Sequence, residues 1–194
     1  MMAVRKQIPF SSGIFFITFT CSRFLPLFAL LDCYDIVYTF FDYLKSKGHF
    51  IHAFVIMPNH LHAIISFTKS EKKINRIIGV GKRFMSYEII KRLKETENVN
   101  MLQQLEKFVN STDRSRGKLH EVFEPSFDWK ECDTDSLIEQ KLNYIHLNPC
   151  VCKPSIAKEP SDYIHSSAKF YLSTEKSIYP IEHVMKMKDI RFDL

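Results

Sequence analysis

The chain has 194 residues, which suits one domain with a sizeable core. Hydrophobic residues make up 45%, with 17 phenylalanines, and charged residues 25%, the balance of a soluble globular protein. No apolar run approaches the ~18 residues of a membrane span, and a net charge of +5 permits a nucleic-acid partner without demanding one.

Residues 14–21, Ile-Phe-Phe-Ile-Thr-Phe-Thr-Cys, read as a first strand, covered on one face and open on the other. The same stretch is too short and too strand-like for a signal peptide. Asp32 is placed to cap a helix running to about Lys47, with Ile36, Val37, Phe40, Phe41 and Leu44 as its apolar stripe. Gly48 stands where a C-terminal glycine cap belongs. A hairpin follows over 49–67. Ser70 is expected to open a longer helix over 71–95, with Ile74, Ile77, Ile78, Phe84, Met85 and Ile89 at helical spacing. Most of its lysines and arginines read as a solvated face. Gly79 and Gly81 either weaken this helix or mark a close approach by a neighbour.

Residues 96–118 are polar, with an amphipathic piece at 99–109 and a flexible basic loop at 111–118. Residues 119–130 read as extended, and Pro125 implies an edge or a bulge. Phe123, Phe127 and Trp129 share one face there and are read as packing residues. Asp133 or Thr134 caps the next helix, which Pro149 should end at Asn148. Beyond it the chain turns irregular, with a short strand at 168–172 and a tail over 171–194 that wraps the domain or docks on a partner. The five cysteines, Cys21, Cys33, Cys132, Cys150 and Cys152, are scattered. Cys150 and Cys152 have no second pair at zinc-finger spacing, so reduced thiols in a cytoplasmic protein are expected.

The chemistry centres on Phe54-Val-Ile-Met-Pro-Asn-His-Leu-His-Ala-Ile-Ile-Ser66. Pro58 and Asn59 are turn residues between two strand-like runs. Side chains alternate along a strand, so His60 and His62 point the same way, roughly 7 Å apart. Leu61, Ala63, Ile65 and Phe67 point the other way. Two imidazoles on one rigid strand suit a metal ion. That one of them is merely a hydrogen-bonded sheet histidine is the other reading, and the residues alone leave both open. Further along, Leu137, Lys141, Tyr144 and Asn148 form a stripe beside the buried Ile138, Leu142 and Ile145, with Tyr144 and Asn148 one above the other. A boundary tyrosine and a terminal asparagine would look the same.

Val55-Ile-Met-Pro-Asn-His-Leu-His62 followed by Tyr144-Ile-His-Leu-Asn-Pro149 resembles the HUH-type single-tyrosine transposases, in particular the REP-associated tyrosine transposases. The resemblance spans about 14–167, with 96–118 as an insertion, so that 1–170 forms one catalytic domain. It implies an α+β fold, a ferredoxin-like or RRM-like sandwich: an antiparallel sheet with helices on one face, the histidine pair on the other, and 119–129 as the fourth strand. It implies that His60, His62 and Asn148 bind a divalent metal, Mg²⁺ or Mn²⁺, and that Tyr144 is the nucleophile.

The implied activity is cleavage and joining of single-stranded DNA, at hairpin-forming ends, through a 5′-phosphotyrosine. That is phosphoryl transfer with a covalent intermediate. Lys82, Arg83, Arg114, Arg116 and Lys118 are candidate phosphate contacts by charge. Lys141, one turn before Tyr144, steadies the phosphate or phenolate or is a surface lysine. A homodimer is an open arrangement, since some relatives share active sites between chains. Two other functions remain open: a non-catalytic single-stranded nucleic-acid binder, and a metal-dependent hydrolase in which Glu121 or Glu124 supplies a carboxylate ligand.

Overall fold

A computed structural model describes residues 7–69, 72–173 and 175–189. In chain order the elements are β1 (Gly13–Thr20), α1 (Leu27–Leu30), α2 (Asp35–Ser46), β2 (Phe50–Met57), β3 (His60–Phe67), α3 (Ile74–Glu95), α4 (Val99–Lys107), α5 (Ser111–Ser115), β4 (Asp128–Glu131), α6 (Asp135–Val151) and α7 (Ala168–Leu172). The four strands form one antiparallel sheet in the order β2-β3-β1-β4. This is the α+β, ferredoxin-like arrangement that the sequence implied.

Period-two alternation sorts the sheet into two faces. Phe15, Ile17 and Phe19 of β1 and Leu61, Ala63, Ile65 and Phe67 of β3 meet Val37, Phe41 and Leu44 of α2 and Ile74, Ile78 and Ile89 of α3 in the larger core. Phe16, Val55, Met57 and Ile64 face the other way and meet Ile138 and Ile145 of α6. A register shift between Ile51 and Ala53 lets Ile51 and Phe54 both face the larger core. At Gly81 α3 lies tight against α2: a Cβ there would stand 2.2 Å from Phe40 Cε2. Gly79 has nothing within 4 Å, so only one of the two glycines marks a close approach.

Several boundaries differ from expectation. Asp32 caps nothing; its φ is +45°, and the helix begins at Asp35, whose carboxylate takes both arms of the Arg92 fork at 2.7 and 2.6 Å. Ser70, expected to open α3, lies outside the described residues. The basic loop 111–118 contains α5, capped by the Asn110 side chain. The fourth strand is Asp128–Glu131 and not 119–129, since proline at 125 cannot donate to the ladder. Pro149 does not end α6, which runs to Val151. A proline in the last turn forfeits one N–H bond, and the Cys152 N–H still reaches Asn148 O at 3.1 Å.

Residues 168–172 are helical, not extended. Strand-like pairing comes just before them: the Ile56 N–H reaches His165 O and the Ser167 N–H reaches Phe54 O, both at 2.9 Å, which covers the outer edge of β2. The Ser166 hydroxyl then accepts from the Ala168 N–H at 3.1 Å and starts α7. The described part of the tail folds back. Tyr179, Ile181 and Val184 are buried, and the Glu182 N–H donates to Ile51 O at 3.0 Å.

Candidate active site

The hairpin presents both histidines on the α6 face of the sheet. His60 opposes Thr20 and Met57, and His62 opposes Thr18 and Val55. Their ring centroids are 4.6 Å apart. The turn is pinned from below: the Cys21 N–H reaches Asn59 O at 2.8 Å and the Phe28 N–H reaches Pro58 O at 3.0 Å.

Each imidazole is oriented through Nδ1. His62 Nδ1 lies 2.6 Å from Thr18 Oγ1, and His60 Nδ1 lies 2.6 Å from Asn59 Oδ1. The Asn59 Nδ2 donates to Phe24 O at 3.1 Å, which turns its Oδ1 toward His60. An amide oxygen only accepts, so His60 carries its proton on Nδ1. Burial pushes the His62 pKa down to about 3, helped by His60 and Lys141 nearby. Burial also lowers that of His60, against a hydrogen bond with Asn148 that raises it. Both rings are therefore neutral at physiological pH.

The helix α6 brings the second motif onto this pair. Its first turn is capped by Thr134 Oγ1, which accepts from the Leu137 N–H at 3.4 Å. Ile138 and Ile145 bury one face, and His146 Nε2 meets Ser167 Oγ at 3.0 Å. Ser167 Oγ in turn accepts from the Phe54 N–H at 2.9 Å, tying the helix to β2. The Tyr144 ring, 48% exposed, stands 5.0 Å from the His62 ring and 5.8 Å from Phe16. Phe16 stacks on His62 at 5.4 Å. Lys141 Nζ lies 4.7 Å from the Phe16 ring centre and 5.7 Å from that of Tyr144. His60, His62, Lys141, Tyr144 and Asn148 thus occupy one place.

The remaining cations divide. Lys82 is buried and donates to the carbonyls of Glu124 at 2.6 Å and Ser126 at 3.1 Å, stapling α3 to the segment before β4. Arg114 bonds the Glu106 carbonyl and carboxylate, and Lys118 bonds Glu121 and Asp113. Arg83 and Arg116 have no carboxylate partner among the described residues. They line a groove of about 900 Å³ between α3 and 116–125, together with Tyr87 and Lys94. Glu124 accepts from the Arg23 N–H at 2.9 Å, so both glutamates considered as ligands are engaged elsewhere.

Sequence reasoning passed over Thr18, Phe16, Asn59 in its orienting role, and the His146–Ser167 bond. The Thr–Phe alternation of β1 suggested one covered and one open face and singled out no residue. The pairing of Thr18 with His62 needed the strand register.

The donor set suits a divalent ion. Two neutral imidazoles held through Nδ1 and a neighbouring amide are nitrogen and oxygen donors of the kind Mn²⁺ accepts and Mg²⁺ tolerates. Among the described residues no group of three His, Cys, Asp or Glu gathers anywhere. No helix among them is long and apolar enough to cross a membrane.

No protein-family model matches the chain, and no curated protein sequence matches it. Among solved structures it is similar to a REP-associated tyrosine transposase bound to a REP hairpin, with a TM-score of 0.57 and 17% sequence identity over 92% of this chain and 89% of that one. At that identity the likeness establishes the fold, a four-stranded antiparallel sheet layered with helices.

Proposed function

We propose that the protein is a DNA-nicking and strand-joining enzyme of the REP-associated tyrosine transposase type, acting on single-stranded DNA with Tyr144 as nucleophile. One observation carries the reading. Tyr144 and Asn148, remote in sequence from the hairpin, meet His62 and His60 in space. A tyrosine half exposed beside one buried and one half-buried neutral histidine is an uncommon use of surface.

The reaction is a transesterification. Tyr144 Oη attacks phosphorus, the bond from phosphorus to O3′ breaks, and the phenolic proton ends on the released 3′-hydroxyl. A 5′-phosphotyrosine stores the bond energy, and a 3′-hydroxyl attacking such a linkage restores Tyr144 and joins strands. His60, His62 and Asn148 would hold a Mg²⁺ or Mn²⁺ ion, which when bound polarises the scissile phosphate as a Lewis acid. Thr18 and Asn59 fix the imidazoles so that they need no reorganisation. Lys141 adds positive charge where the phosphate and the developing phenolate lie.

Among the described residues no group of three His, Cys, Asp or Glu gathers here, and Lys141 brings positive charge beside Tyr144. That favours a phosphodiester over the activated water of a hydrolase, whose extra ligand the engaged Glu121 and Glu124 do not provide. One chain supplies both Tyr144 and the histidines, so a homodimer is not needed to complete the site. Cytoplasmic action on hairpin-forming DNA ends belongs to the same reading.

Covalent trapping tests it. The protein is incubated with labelled single-stranded hairpin DNA from the flanks of its own gene, with Mn²⁺ or Mg²⁺, and run on a denaturing gel. A metal-dependent protein–DNA adduct, lost in Tyr144→Phe and in His60→Ala, is the expected result. Cleavage without an adduct, persisting in Tyr144→Phe, would mean hydrolysis by water. Binding without cleavage would mean a non-catalytic binder.

A further inference from the structure

The turn from Cys21 to Pro26, between β1 and α1, carries a conformation that side chains rarely adopt. Arg23 has φ +53° and Phe24 φ +58°, two consecutive non-glycine residues in the left-handed region. Such strain persists where the surroundings over-determine it. Here they do: Ser22 N–H to Val122 O at 2.9 Å, Phe24 N–H to Cys21 O at 3.0 Å, Arg23 N–H to Glu124 Oε1 at 2.9 Å, and Asn59 Nδ2 to Phe24 O at 3.1 Å. The strain does not serve burial, since the Phe24 ring is 70% exposed. The Ser22 hydroxyl beside it is buried and lacks a hydrogen-bond partner, a further cost of this conformation.

The turn is wired to the candidate site. The same Asn59 amide that binds Phe24 O orients His60 through its Oδ1. Tyr144, His62, His60, Asn59 and the Phe24 backbone therefore form a continuous line of contacts, with the nucleophile at one end and a residue bearing an exposed aromatic ring at the other. Arg23, also exposed, precedes Phe24 in the chain and lays its guanidinium 5.7 Å from the Phe108 ring centre.

We propose that Phe24 is the stacking platform for one unpaired base flanking the scissile phosphate. Every base has a π-face, and an exposed aromatic ring is a surface on which an unpaired base stacks. This rests on the proposed DNA chemistry for the nature of the strand. It adds a residue, outside both motifs, that sets where along the strand the phosphate stops. The ring makes the position of cleavage depend on an unpaired base at that spot. A duplex carried through the site would hide the base and forfeit the contact.

Binding is measured in Tyr144→Phe protein with chelator, using single-stranded oligonucleotides from the flank of the gene, so that no cleavage intervenes. Phe24→Ala should weaken binding about 10-fold or more, as loss of one base–aromatic stack does. Phe24→Tyr should retain it, and thermal unfolding reports whether either variant is folded. An abasic residue at one position should weaken binding to the Phe24 protein by the same factor and leave Phe24→Ala indifferent. Emission of Phe24→Trp should be quenched by the intact strand and not by that abasic one.

Undiminished binding by Phe24→Ala, or equal losses at every abasic position in both proteins, overturns the proposal. So does a change of oligomeric mass in Phe24→Ala with strand binding intact, which would assign the ring to a second copy. The two readings fail separately. Phe24-dependent binding without any adduct in the unmodified protein removes the transesterification alone. An adduct with Phe24-independent binding removes the platform alone.

Discussion

Thr18→Val isolates the orientation of His62 from every other feature of the site. Thr18 Oγ1 is 2.6 Å from His62 Nδ1, and the imidazole is 5% exposed, so water cannot replace the lost hydroxyl. Valine keeps the shape and the β-branching that a strand favours, so the sheet should hold. A buried polar nitrogen left without a partner costs about 1–3 kcal/mol, or about 5–150-fold in an equilibrium. Loss of a residue that orients a metal-binding histidine independently gives about 10–100-fold. The assay is the rate of adduct formation in single turnover as Mn²⁺ is titrated. Thr18→Val should need about 10–100-fold more Mn²⁺ for half-maximal rate. Its affinity for single-stranded DNA in chelator should match that of the parent, and Thr18→Ser should restore the metal dependence. An unchanged Mn²⁺ titration in Thr18→Val would refute the claim that this hydroxyl sets the ligand. Equal weakening of DNA binding in chelator would show that the effect is not on the metal.

Gly81→Ala should destabilise the fold by about 1–3 kcal/mol, since its Cβ meets the buried Phe40 ring at 2.2–2.7 Å. Gly79→Ala, with open space around it, should stabilise by up to about 1 kcal/mol, and denaturant melts of the two variants shifting in the same direction would refute the packing argument. Acid should weaken the fold through its buried histidines. The folded pKa values of His62 and His146 are held to about 3 and about 4 by burial, against an ordinary 6.5, and those of His49 and His52 are lowered too. Below about pH 6.5 the unfolded chain takes up protons that the folded chain refuses. Stability is therefore full above that pH and falls as pH drops toward 4, by about 1.4 kcal/mol per pH unit for each of His62 and His146, with His49 and His52 acting in the same direction. Urea denaturation in chelator at several pH values across that window checks this, and a flat profile would contradict it.

How far the sequence reached depends on the range of the interaction involved. Period two placed His60 and His62 on one face of β3 and Leu61, Ala63, Ile65 and Phe67 on the other, as the two cores confirm. Helical spacing put Lys141, Tyr144 and Asn148 in one stripe beside Ile138 and Ile145, and the stripe is there. These are properties of a single element, written in the order of its own residues. The errors at Asp32, Pro149 and 168–172 fell at element ends, where single local bonds such as that from the Ala168 N–H to Ser166 Oγ decide how the chain continues.

Tertiary structure alone decided that the α6 stripe faces the histidine pair, because that depends on which surface buries Ile138 and Ile145. It decided that Lys82 spends its charge on two carbonyls inside the fold, when charge in the sequence looked like a phosphate contact. It set the strand register that gives His62 to Thr18, and the left-handed turn that holds Phe24 outward. Periodicity tells which side of its own element a residue takes. What waits on that side is fixed by contacts between elements far apart in the chain, and those no local pattern encodes.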